Sequence, residues 1–173
     1  MTLVKMKQRD FDLLSEDSLG RACMEPIFQQ IRGKNLPIKT QVISELNKGQ
    51  QALCMFRVMY DHAKNSAAEF YCWMSYLLDQ PGYWYGVMGG LSFFGDHAMH
   101  QLLEETKEIL QARNLKLSKQ WSDASMSDLD KDEELHINVV SLFDRFQLIA
   151  PLSHGIISSF IRSNPHEFVV IEA

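Results

Sequence analysis

Apolar residues recur at helical spacing through nearly the whole of this chain, and that periodicity excludes most folds before any motif is considered. Ala52, Leu53, Met55, Phe56, Met59, Tyr60 and Ala63 mark one face of a helix that Asn65 interrupts. Ser66-Ala67-Ala68-Glu69 then has the form of a capping box, in which the serine accepts from the Glu69 amide and the Glu69 carboxylate reaches back. Phe70, Tyr71, Trp73, Met74, Leu77 and Leu78 form the wide stripe of a central helix that Pro81-Gly82 ends. Trp84, Val87, Met88 and Leu91 predict a short helix weakened by Gly89-Gly90. Asp96 reads as the N-cap of the longest amphipathic pattern, Met99, Leu102, Leu103, Thr106, Ile109 and Leu110, which ends near Asn114.

The two ends are less regular. Leu19 to Ile31 reads as a helix with Pro26 inside it, which predicts a kink or a late start. Val42, Ile43 and Leu46 suggest a short helix closed by Gly49. Residues 115–131 are polar and rich in Ser and Asp, and read as a surface loop. The C-terminal stretch LFDRFQLIAPLSHGIISSFIRSNPHEFV, Leu142 to Val169, predicts a helix ending at Phe146, a break, and a second helix from Pro151 to Asn164-Pro165. Only Phe168 to Ile171 could be extended, and one strand makes no sheet. The expectation is an all-α fold: a single helical domain over residues 1–173 with about seven or eight helices and no significant sheet.

Composition narrows the function classes. At 173 residues and 46% apolar, the chain can bury a sizeable core. No apolar run approaches the roughly 20 residues that cross a bilayer, and the charged N-terminus lacks the apolar centre of a signal peptide, which predicts a cytoplasmic protein without membrane contact. Cys23, Cys54 and Cys72 are few, widely spaced and set among apolar residues, which reads as buried thiols rather than disulfides or ligands. Net charge is −5 and uneven: residues 1–64 hold ten Lys/Arg against seven Asp/Glu, and residues 65–173 hold seven against fifteen. No Lys or Arg lies between Asn65 and Thr106, while Asp123, Asp128, Asp130, Asp132, Glu133 and Glu134 cluster around the single Lys131. Such a portion argues against direct nucleic-acid binding, which needs clustered cations, and suits a basic protein partner. The scattered Lys5, Lys7, Arg9, Arg21, Arg32, Lys34 and Lys39 leave a helical DNA-binding domain as the weakest reading.

Three places carry a family resemblance: NSAAEFY at the junction inside Gln50–Tyr71, GLSFFGDHAMHQLLEET from Gly90 to Thr106, and the C-terminal FDRF…SFIRSNPHEFV. In order and spacing, over roughly residues 45–170, the chain resembles a widespread bacterial domain family of unknown function that includes a dimeric DNA-mimic protein. The resemblance implies an all-α fold, homodimerisation and a non-enzymatic role in which surface carboxylates occupy the DNA site of a basic protein. It defines no site residue.

No phosphate loop, complete metal motif or nucleophile motif is present, so no cofactor and no catalytic residue is expected. His97, His100 and Glu104 are the one metal-like set, three and seven residues apart on one helix face, and define the alternative of a metal-dependent hydrolase. Asp61, His62 and Glu69 flank the Asn65 junction, where capping and helix-dipole roles explain them more simply than acid–base catalysis. Tyr83, Trp84, Tyr85, Phe93 and Phe94 invite a stacking role, but their segment has no basic residue to accompany it, so core or interface is the better reading. The expected function is non-catalytic protein binding, DNA-mimic-like, with Asp123, Asp128, Asp130, Asp132, Glu133 and Glu134 as contacts and Trp121 as anchor.

Overall fold

A computed structural model describes residues 3–172. Strand β1 (Val4–Lys7) leads into α1 (Gln8–Leu13), α2 (Glu16–Ile31), α3 (Leu36–Ser44), α4 (Lys48–Ala63), α5 (Ala67–Asp79), α6 (Pro81–Phe94) and α7 (His97–Leu117). A 3-10 turn (Trp121–Asp123), α8 (Asp128–Lys131), α9 (Glu133–Ser163), a second 3-10 turn (Pro165–Glu167) and β2 (Val169–Glu172) complete the chain. The fold is all-α, with nine helices among the described residues.

Local chemistry places most boundaries. Side chains of Ser15, Asn35, Asn47, Ser66, Asp96 and Asp132 accept from amides in the first turns of α2, α3, α4, α5, α7 and α9, satisfying donors the helices leave free. At the α4–α5 junction Ser66 accepts from the Glu69 amide at 3.1 Å, but the Glu69 carboxylate takes the Asn65 side-chain amide at 2.6 Å instead of completing the box. Gly95, at φ 73°, ends α6 in the left-handed conformation that favours glycine.

The centre is built by α4, α5 and α9. Phe70 packs tilted against Phe143 and Phe146 at 5.9 and 5.2 Å, and Tyr60 meets Phe146 at 6.0 Å. Helix α6 lies on α4 through its glycines: a Cβ on Gly90 would stand 2.9 Å from the Ala52 carbonyl oxygen. Gly90 thus permits close approach, and packing overrides the poor propensity of the Gly89-Gly90 pair over a 14-residue helix.

Several expectations are corrected. Helix α9 is continuous over 31 residues with Pro151 inside, where a break was expected after Phe146. Pro151 is exposed, so the carbonyl it leaves without a donor can meet water, while Phe146, Ala150, Ile157 and Ile161 bury the opposite face. Pro26 likewise sits inside α2, which starts early at Glu16 under the Ser15 cap. Gly49 does not close a helix. It lies in the first turn of α4, where a Cβ would meet Phe168 Cζ at 2.8 Å. Residues 115–131 contain the end of α7, a 3-10 turn and α8, with Asp128 and Leu129 buried, because Leu129 anchors the connection in the core. Finally, the extended C-terminus has a partner. Val4 and Met6 alternate with Lys5 and Lys7, a period of two, and β1 pairs parallel with β2 in the register Val4↔Val169 and Met6↔Ile171.

Candidate functional site

Four of the six acids, Asp128, Asp132, Glu133 and Glu134, line an open cleft of about 750 Å³ between α7 and the α8–α9 corner, and Asp123 and Asp130 lie outside its lining. Ile109, Leu117 and Leu135 supply apolar lining, and Arg113, Lys116, Lys119 and Lys131 face Asp128, Asp132, Glu133 and Glu134. Its two sides are set by the length of α7 and by Asp132, which caps α9 through the Leu135 amide at 3.0 Å.

The six acids do different things. Asp128 is buried, accepting from the Tyr71 hydroxyl at 2.9 Å and the Ser125 amide at 3.3 Å, with Lys119 at 3.5 Å. Burial would raise its carboxyl, but these partners outweigh burial and hold it below the ordinary carboxylate value. Tyr71 shows the converse, its phenol pushed up by burial and then by Asp128. Asp132 is held low by the Leu135 amide and then by Arg113, whose Nε donates to it at 2.8 Å while Nη1 donates to Tyr71 at 3.2 Å. Asp123 accepts from the Gln120 amide at 2.8 Å within its own turn. Glu134 pairs with Lys116 at 3.4 Å, both largely exposed and therefore weakly coupled. Asp130 and Glu133 are exposed, without an ion pair among the described residues. Trp121 is half-buried against the core.

Thus Asp128 and Asp132 form one network with Tyr71, Arg113 and Lys119 that holds the cleft walls together. Asp130, Glu133 and Glu134 are left to face outward. Sequence reasoning missed the cationic half of this site, because Arg113 and Lys119 lie 19 and 9 residues from the carboxylates they meet.

The metal-like set does not assemble. His97 and Glu104 lie on the exposed side of α7, separated by about 10 Å of helix axis at 1.5 Å per residue, too far for ligands to share an ion. Among the described residues no group of three or more His, Cys, Asp or Glu side chains is placed to hold a metal.

A second polar cluster was not anticipated from the sequence. Arg57, fully buried on α4, donates through Nε and Nη2 to Asp61 at 3.1 and 2.6 Å, donates to Asp17 of α2, and lies 5.4 Å from the Tyr60 ring centroid. His154 of α9 meets Tyr60 edge-on at 4.5 Å, and its Nε2 lies 3.7 Å from Asp17, too far for a hydrogen bond. The network staples α2, α4 and α9. Asp61 is thereby committed to Arg57, and His62 packs tilted against Trp73 at 4.0 Å, which takes both out of an acid–base pair.

The chain matches no protein-family model, no curated protein and no solved structure. The family resemblance accordingly rests on the three quoted segments alone.

Proposed function

We propose that this chain is a non-catalytic, cytoplasmic protein-binding domain whose cleft rim receives a basic segment of a DNA-binding protein. The observation that carries the reading is the division of the acidic cluster. Glu133 and Glu134 on the open cleft and the neighbouring exposed Asp130 keep carboxylates in solvent, while Asp128 and Asp132 fix the cleft's shape. Three outward carboxylates make a local contact, matching one Lys/Arg-rich turn or loop rather than a whole DNA-binding face. The apolar lining from Ile109 and Leu117 gives such a segment surface to bury besides charge. The described cysteines Cys23, Cys54 and Cys72 are free thiols, which fits a reducing compartment.

The test is affinity capture from lysate of the source organism on immobilised wild-type chain and on the triple variant Asp130→Asn/Glu133→Gln/Glu134→Gln. A DNA-binding protein released from the wild type by salt or by competing duplex DNA, and absent from the triple variant, is the expected result. Equal capture by both would remove the acidic rim from the account.

A further inference from the structure

On another face of the molecule, α2 to α6 enclose a second cleft of about 350 Å³. We infer that this cleft binds a small planar aromatic carboxylate, its ring packed on the exposed Tyr76 beside Trp73 and Tyr83 and its carboxylate met by Lys39 and Arg32.

Aromatic rings form a ladder along the cleft: His62 on Trp73 at 4.0 Å, Trp73 on Tyr76 at 4.9 Å, and Tyr76 to Tyr83 at 6.3 Å. Tyr76 remains 44% exposed, so the ladder presents ring surface to an occupant instead of spending it in the core. The volume lies at the lower end of small-molecule sites, which sets the size at one or two rings.

Charge sets the sign. Arg57 reaches the inner wall, but its charge is engaged by Asp17 and Asp61, and Asp61 is further matched by Lys64 at 3.3 Å. The Lys39 side chain is half-buried at the cleft and makes no ion pair or hydrogen bond among the described residues. Arg32 has only an exposed contact with Glu25 at 3.8 Å. The charge free to act on an occupant is therefore positive. The Trp73 indole N–H is shielded from solvent and has no acceptor among the described residues. The platform from residues 73–83 has no cation of its own, and the fold supplies the cations from α3 and the end of α2.

Isothermal titration of the full chain with three probes tests the inference: indole-3-acetate, tryptamine (similar ring, opposite charge) and cyclohexaneacetate (same charge, no aromatic ring). Indole-3-acetate should bind one per chain and at least about tenfold more tightly than either of the others. Lys39→Ala, at a helix-surface position, should erase the preference over tryptamine while leaving helical circular dichroism unchanged. No binding of indole-3-acetate at millimolar concentration, equal binding of all three probes, or an unchanged preference in Lys39→Ala would overturn it. The rim variant Asp130→Asn/Glu133→Gln/Glu134→Gln should bind indole-3-acetate normally, which separates this site from the protein-binding cleft.

Discussion

At the scale of the residue, Arg57 is the largest fully buried side chain among the described residues. A guanidinium fully removed from water persists because Asp17 and Asp61 accept from it and Tyr60 offers its ring face. Arg57→Met keeps comparable volume but strands the two carboxylates. Both are about a third exposed and can partly rehydrate, so a loss of about 3 kcal/mol in urea unfolding is expected, at the lower end for a broken buried pair. His154 beside this network reports pH. Burial lowers it below its ordinary 6.5, and Asp17 opposes without reversing the effect. The unfolded chain therefore takes a proton that the folded chain resists, so the contribution is complete above about 6.5 and is lost as pH falls towards the folded value. Asp17, Asp128 and Asp132 are also held low, and their contributions go only in the lower window below 3.8. Thermal melts of His154→Phe should accordingly stay flat between pH 7 and 5, where the wild type loses stability. Parallel curves would refute the assignment.

At the scale of the element, α6 offers a paired test. Gly89 and Gly90 are adjacent, but a Cβ on Gly89 meets nothing within 4 Å, whereas one on Gly90 stands 2.9 Å from Ala52 backbone. Gly89→Ala should stabilise by about 0.5–1 kcal/mol through propensity. Gly90→Ala should destabilise by about 1–3 kcal/mol through overpacking, because backbone cannot move aside like a side-chain tip. Chemical unfolding of the two variants checks the opposite signs. The same pair marks the limit of what the sequence shows. Periodicity located the body of α4, and the caps Ser66 and Asp96, which act within three residues of themselves, placed the starts of α5 and α7, whereas the equally local Asn47 cap of α4 was passed over because Gly49 reads as a stop. Continuity of α9 through Pro151 could not be read locally, because the contacts with α2, α5 and α7 that maintain it are distant in sequence. The cap role of Asp132 was within reach of a local reading, whereas the Asp128–Tyr71 bond spans 57 residues and left no local signal.

At the scale of the whole molecule, distant segments converge where neither end alone has structure of its own. Strand β1 can form only when β2 arrives, Arg162 donates to the Phe11 and Leu14 carbonyls at 2.7 and 2.8 Å, and Asn47 donates to the Glu167 carbonyl at 2.8 Å. The same convergence makes the α7–α9 cleft, whose network joins α5, α7, α8 and α9. Tyr71→Phe, which removes the hydroxyl between Asp128 and Arg113, should cost about 1–2 kcal/mol in urea unfolding while leaving the outward carboxylates in place. The central claim, that three acids present charge and two hold the site, is tested most directly by titrating a short Lys/Arg-rich peptide into the isotopically labelled chain at low salt. Backbone amide shifts confined to residues 129–134 and the end of α7, and abolished by the Asp130, Glu133 and Glu134 substitutions, are the predicted result. Shifts spread over the whole acidic surface, or an undiminished response in the triple variant, would contradict it.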